Sequence, residues 1–550
     1  MPVTRSGEEG FTMVITVIGA SLVAMLVLVA VTAVNGDSHS GAYDFKQKQA
    51  YEAAKAGIDD YAYHLHANNS YWTTCNNVTP PSAVNQVGST EKRRPVPGTT
   101  GAEYAIELLP STTQTTYQKC DEQHPTESMI QSKDPLKGTF RIRSTGFAGK
   151  AKASIVATFK PGSFLDYVYF TQRETSDPAT YGEETLVKAA EKQCSKTIKE
   201  ERYASEILSG KGYCDTISFV SGDFINGPMH TNDAFVICGS PTLGGSAADP
   251  VEVSGPPKGW FSTWEIPNSN SNCSGSNENF KGTFTANSAV LTPPPSNQEL
   301  SNIAEQKFHF KGQVRICLSG KNMMVLTYSE TSTCSVPVGT PLYNGAIPPN
   351  GVVYVENGTC STKYSPFNVA YDVNLETSGC GDAFIEGTYS GQLTIATYNN
   401  IVVTGNLCME SCESELPLKG EGVLGLVANN FVRIFHPVPY KTEIKEGKEV
   451  KVFECKNGTG ILQNVTIDAA ILAIEHSFIV DNYKCGAKLG TLRVNGAIAQ
   501  KYRGAVGTTG SKGSGYLKSY NYDSRLRYLE PPSFIQPEKT AWVIGRETLE

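Results

Sequence analysis

The chain has 550 residues, with 47 basic against 54 acidic side chains and a net charge of -7, which excludes the basic face that nucleic-acid binding requires. It is too long for one ordinary domain. Its 51 Gly, 30 Pro and 26 Tyr, with only 8 Met, favour a turn-rich β protein over a helical bundle.

Residues 1–10 form a short polar leader that ends in Gly10. The segment Phe11–Val34 follows without a charged residue. At about 1.5 Å rise per residue its 24 residues make a helix roughly 36 Å long, against a hydrocarbon core of about 30 Å. The sequence therefore predicts a transmembrane helix and a single-pass cell-membrane protein with an extracytoplasmic C-terminal region. A secretory signal peptide cut near Ala33 is the alternative, but the apolar part exceeds the roughly 7 to 15 residues usual for such signals.

The border Gly10-Phe11-Thr12, a polar leader ending in Gly and then an unbroken apolar helix, resembles the processing site of type IV pilins. The resemblance implies cleavage by prepilin peptidase between Gly10 and Phe11 and methylation of the new Phe11 amine, with the helix kept on the mature chain. In most pilins the fifth residue after the cut is Glu; here it is Ile15. That departure points away from a major subunit and towards a minor or tip position.

Residues 35–162 are predicted to form a pilin-like unit. Ala50, Ala54, Ile58, Tyr61 and Leu65 recur at helical spacing. Strand-like runs follow at Glu103–Leu109, Gly138–Ser144 and Ala151–Lys160, the last two joined as a hairpin through Gly146 and Gly149. The stretches Gln49–Leu65 and Phe140–Gly162 resemble the corresponding parts of PilX-type minor pilins, which implies a helix packed on a small sheet.

Residues 163–550 read as a large β ectodomain. A charge-dense helix or hairpin is expected between Ser176 and Cys214. Short β runs then follow at Ile217–Ile225, Ala234–Cys238, Ala383–Gly387, Gln392–Ala396, Asn400–Gly405, Gly422–Ile434, Ile467–Val480 and Thr491–Gln500. Gly387 and Gly405 are separated by about one coil of a parallel β-solenoid, with a β-sandwich as the alternative. Two loop-rich insertions, Pro250–Pro295 and Cys317–Ser365, are expected to project. The phrases Gly222–Asp233, Gly422–Ile434, Asp468–Val480, Leu489–Gly504 and Tyr520–Phe534 resemble exported proteins with a prepilin-type N terminus and a C-terminal β-solenoid. The fold class expected is thus mainly β with a long N-terminal α-helix, a pilin-like αβ domain followed by a parallel β-solenoid.

All the cysteines lie beyond the apolar segment: Cys75, Cys120, Cys194, Cys214, Cys238, Cys273, Cys317, Cys334, Cys360, Cys380, Cys408, Cys412, Cys455 and Cys485. An even number in a large chain points to disulfides and an oxidising compartment. No CxxC is present, so no metal site and no cofactor is assigned. Spacing does not fix the connectivity; local pairs such as Cys194 with Cys214 and Cys455 with Cys485 would clip loops.

Candidates for chemistry are Asp223, His230, Asp233, Glu386, Arg433, His436, Glu475 and His476, because parallel β-helices that act on polysaccharides use such residues on one face. Glycoside hydrolysis needs two carboxylates within reach of each other, and the sequence pairs none. His230 is placed near Asp223 or Asp233 by its local phrase. No nucleophile elbow, zinc-protease or phosphate-loop motif is present. Arg525, Arg527 and Tyr528 read as part of a tail strapped over the β body. The expectation is a non-enzymatic minor pilus or pseudopilus subunit acting in assembly or adhesion. Its partners would be other pilins, prepilin peptidase, the membrane and a surface glycan. The rival is a membrane-anchored protein that binds or cleaves polysaccharide.

Overall fold

Ala50, Ala53 and Ala54 put three small residues on one face of the helix Glu9–Ala67, and Gly146 on the strand beneath has no side chain. The two backbones approach so closely that a Cβ at Gly146 would overlap the Ala50 carbonyl and the Ala54 nitrogen. Ile58, Tyr61 and Leu65 continue the same face and are buried. The strands lie antiparallel in the order Arg94–Pro95, Ala102–Leu109, Phe140–Ala148, Ala151–Pro161, Trp542–Leu549. Gly149, at φ 63°, supplies the left-handed residue in the tight turn between the third and fourth. Phe140 stacks between Trp72 and Phe159, each at 5.4 Å, with Trp542 edge-on at 4.8 Å.

These elements belong to the first of two compact units, Met1–Pro161 with Trp542–Glu550; the second is Gly162–Ala541. The computed structural model describes residues 9–68, 70–75, 93–111, 116–130, 139–181, 184–196, 214, 217–255, 258–262, 275, 277, 279–329, 331–360, 379–413, 416–458, 460–508, 510, 513–538 and 542–549. Most of the leader therefore lies outside the described residues, as does Cys273. The closing strand Trp542–Leu549, expected in the β ectodomain, completes the sheet of the first unit instead.

The single-pass membrane placement expected for Phe11–Val34 is not supported. Among the described residues no helix is long and apolar enough to cross a membrane. Spanning takes about 20 consecutive apolar side chains, and within this stretch the described side chains are those of Ala20–Met25. Among the described side chains the helix enters the core through its last turns, Ala50–Leu65.

In the second unit the backbone hydrogen bonds run almost entirely through parallel ladders. One ladder passes through Thr283–Ala286, Pro250–Val253, Met229–Thr231, Tyr169–Arg173, Lys488–Tyr502, Thr466–Ala473, Val423–Ala428, Gln392–Thr397, Val352–Glu356 and His309–Lys311. A second joins Thr242–Leu243, Phe224–Asn226, Gly515–Tyr522 and Lys488–Tyr502. Alternate residues of the first ladder point inward, among them Tyr169, Met229, Val251, Ile498, Ile471 and Leu426. Their neighbours, including Phe170, Ala499, Leu472 and Val427, face a second cluster under the segment that carries Leu291 and Leu300.

The expected fold class is therefore corrected. The chain is mainly β, but its sheets do not form a clear solenoid, and its parallel ladders rule out an antiparallel sandwich. A solenoid adds each coil to the one before it in the chain. Here Ala383 pairs with Ile401 and Gly425 with Ala470, while Ile498 pairs back to Tyr169, so the chain spacing between neighbours changes and then reverses. An antiparallel arm, Val314–Gly320 with Asn322–Thr327 and Tyr343–Ala346, interrupts the parallel order. Nor are the two expected insertions mere projections: Pro250–Val253, Thr283–Ala286, Val314–Gly320 and Val352–Glu356 are ladder strands. Pro and Glu in Pro250–Val253 and the two Thr of Thr283–Ala286 hid the first two.

The segment after Ala286 crosses back over the first ladder. Asn232 exchanges two hydrogen bonds with Leu291, donating to its carbonyl at 2.6 Å and accepting from its N–H at 3.0 Å. Buried Asn297 donates through Nδ2 to the carbonyls of Thr397 (2.8 Å) and Val427 (2.9 Å), and its N–H donates to Asn429 Oδ1 (2.7 Å).

Two outcomes follow from this packing. Gly146→Val forces the helix off the sheet and costs about 3 kcal/mol, read by chemical denaturation, with the loss appearing in the first unit. Asn297→Ala strands two buried carbonyls and lowers stability by on the order of 3 kcal/mol, with increased hydrogen exchange across residues 288–304.

Candidate functional site

Gly10 and Phe11 lie at the start of the helix Glu9–Ala67. Downstream, Leu22, Val23 and Met25 are 57%, 60% and 68% exposed, so among the described residues of the first unit none covers these three side chains. Tyr43 and Phe45 are also exposed. The helix thus presents uncovered apolar side chains well before the point where it packs on its own sheet.

The described cysteines are oxidised. The structure pairs Cys75 with Cys120, Cys194 with Cys214, Cys317 with Cys334, Cys360 with Cys380, Cys408 with Cys412, and Cys455 with Cys485. Cys238 is disulfide-bonded as well. Each of these six pairs closes a loop within one unit, which restricts the unfolded chain more than it shapes the core.

The polar candidates do not converge. His230 is buried on the outer side of the first ladder, stacked on Phe170 at 5.7 Å. Its ring contacts Glu252 Oε2 at 3.0 Å and Asn232 Oδ1 at 3.2 Å rather than Asp223 or Asp233. The reason is register: His230 and Glu252 are direct neighbours across the parallel pair. Tyr167 donates its hydroxyl to the same Glu252 oxygen at 2.8 Å. Asp233 accepts the Glu174 N–H at 3.0 Å. Glu386 lies 3.5 Å from Arg315, and Arg433 pairs with Asp481 at 3.0 Å. His436 contacts the Asp481 carbonyl and Asn457 Oδ1. Glu475 pairs with Lys501 at 2.7 Å, and His476 meets Asp177 at 3.0 Å while stacking on Phe431. Each of these candidates is tied to a partner that joins neighbouring strands or loops. Among the described residues no group of three or more His, Cys, Asp or Glu gathers as a metal set.

Arg525 is buried and forks onto Asp523, with Nη2 to Oδ2 at 2.7 Å, and donates to the carbonyls of Gly420 and Gly422. Tyr528 is 65% exposed. The tail is therefore fastened through Arg525 and not through its tyrosine.

A further polar cluster, not expected from the sequence, lies inside the second unit where Tyr169–Arg173 pairs with the strand Lys488–Tyr502. Arg503 Nη1 donates to Glu174 Oε2 at 2.9 Å with both side chains fully enclosed, and the guanidinium lies 3.6 Å over the Phe219 ring. Glu174 also accepts from the hydroxyls of Tyr169, at 3.0 Å, and Thr171. Burial pushes the Glu174 carboxyl above its ordinary range, opposed by the Arg503 charge. Lys518 Nζ donates to Asp223 Oδ2 at 2.8 Å. The signal present in the sequence was Lys518, the one charge in the strand-like run Gly515–Tyr522; Arg503 shares its run with Arg493 and Lys501 and does not stand out.

No protein-family model matches the chain, and no curated protein matches it. Among solved structures the chain is similar to the competence-associated pilin ComZ from Thermus thermophilus, at 12% identity and a TM-score of 0.23, over 92% of this chain and 96% of that chain.

Replacing Arg503 by Met leaves the Glu174 carboxylate buried without its partner and is expected to cost about 3 to 5 kcal/mol by urea denaturation. The double variant Arg503→Met with Glu174→Leu recovers most of that loss. If the double variant is no better than the single one, the pair is not the source of the effect.

Proposed function

We propose that the chain is a minor subunit of a type IV pilus-like filament, joined to other pilin subunits through the N-terminal part of its long helix. The observation that carries this reading is the uncovered apolar run. Leu22, Val23 and Met25 stand exposed on a helix whose packing against its own sheet is confined to Ala50–Leu65. Apolar surface of that kind is stabilised when helices of neighbouring subunits cover it, each side chain contributing about 1.5 to 3 kcal/mol on full burial. The Gly10-Phe11 border supports maturation by prepilin peptidase. Ile15, in place of the usual Glu, and the bulk of the second unit favour a sparse or terminal position in the fibre. The role is in assembly or surface attachment, and the disulfides suit a body exposed outside the cell.

The mass of the mature N terminus tests this. The expected product begins at Phe11 with a methylated amine, and Gly10→Val yields a chain that keeps the leader and no longer co-purifies with filaments. A mature product that starts at Met1, or one that starts near Asn35 without the helix, overturns the reading.

A further inference from the structure

Deep in the second unit a primary amine is held against a carboxyl group where water has little access. Lys518 Nζ lies 2.8 Å from Asp223 Oδ2, with the two side chains 11% and 1% exposed. Neither residue reaches the other by chance of a flexible loop. Lys518 sits on Gly515–Tyr522, which pairs in parallel with Phe224–Asn226, so the backbone ladder fixes Ser519 opposite Phe224. Asp223 is held from its own side as well, since Oδ2 accepts the Val220 N–H at 3.0 Å. Its second oxygen, Oδ1, is buried and has no hydrogen-bond partner. Tyr520 and Phe219 are buried in the same region, and the other charges acting on Lys518 are those of Arg503 and Glu174. Burial lowers the Lys518 amine from its ordinary value and the Arg503 charge adds to the effect, opposed by the Asp223 and Glu174 carboxylates.

We propose that Lys518 and Asp223 condense into an intramolecular amide, a covalent cross-link between the two ends of the second unit. One proton passes from the ammonium to the carboxylate, leaving an amine and a carboxylic acid. The Nζ lone pair adds to Cγ; as the Nζ–Cγ bond forms, a Cγ–O bond breaks. The oxygen leaves as water, carrying the transferred proton and one from the nitrogen. Nothing is oxidised or reduced and no co-reactant is needed. Two effects favour the step. The reacting atoms are already positioned, which removes the entropic cost of bringing them together, and two buried charges are replaced by one neutral amide. Oδ2, which receives the proton from Nζ, is the oxygen that departs, and the unpartnered Oδ1 stays as the amide carbonyl oxygen. The link would close the chain between residues 223 and 518 covalently, so that the two segments stay together under pulling. The inference stands apart from the filament reading and holds whether or not that reading does.

The test is the intact mass of the full wild-type chain after denaturation, reduction of the disulfides and alkylation of the thiols. The expected mass is one water below that of the uncross-linked chain, and proteolysis yields a branched peptide joining the segments around Asp223 and Lys518. Lys518→Arg, which keeps the charge but has no primary amine, restores the full mass and abolishes the branched peptide. A wild-type chain of full mass, with Lys518 recovered as a free amine, overturns the proposal, and so does a loss of water that maps to other residues. Because the decisive reading is on the wild-type chain, poor folding of the variant does not blur it.

Discussion

The second unit depends on one strand having a neighbour on each side. Tyr169–Arg173 lies between Met229–Thr231 and the end of Lys488–Tyr502, parallel to both. An unpaired edge there would leave a row of backbone donors and acceptors unsatisfied in the interior, which is costly. The chain enters at this central position, adds strands outward through Pro250–Val253 to Thr283–Ala286, crosses back along the segment pinned by Asn232 and Asn297, and starts again at His309–Lys311. It then adds strands in the opposite sense of approach until Lys488–Tyr502 and Gly515–Tyr522 meet the strands laid down first. The two halves are separate in sequence and continuous in hydrogen bonding.

Such a closure has to be specified, because a slip of one residue in a strand turns its inward side chains outward. Polar side chains do this at the join. Asp468, Asn495, Asn521 and Asn226 form a chain of hydrogen bonds at 2.8, 3.1 and 3.3 Å that passes from the late strands to an early one. Glu174 with Arg503 and Asp223 with Lys518 link the same two parts in the interior. Buried polar groups of this kind destabilise any arrangement in which they lack their partners. They select one register rather than simply adding to stability.

Much of the fold was legible in the sequence. The period of Ala50, Ala54, Ile58, Tyr61 and Leu65 marked the packed face of the helix, and the Gly149 turn marked the hairpin of the first unit. Runs rich in Val and Ile, such as Ile401–Met409 and Thr466–Ala473, declared themselves as strands. The order in which they pair was not legible, since parallel pairing between distant segments leaves no local trace; Ile498 opposite Tyr169 is a fact of the whole fold. Short ladder strands such as Pro250–Val253 carry Pro and Glu and so read as loop. The candidate histidines were visible as residues, but their partners came from register, as His230 beside Glu252 shows. Lys518 in its strand, and Glu174 and Arg503 each one residue past a strand end, were not legible as buried because charges at such positions usually face solvent, and here they face inward.

An oxidised β body, closed on itself through one central strand, shares the chain with a helix that carries exposed Leu22, Val23 and Met25. The join is the part on which the architecture stands or falls. Hydrogen exchange followed by mass spectrometry on the full chain measures it directly. If the closure is as described, the amides of 169–173, 229–231 and 498–502 share one slow, cooperative exchange step. If 217–286 instead opens independently of 309–522, with 169–173 exchanging fast, the two halves are not one hydrogen-bonded body and the account is wrong.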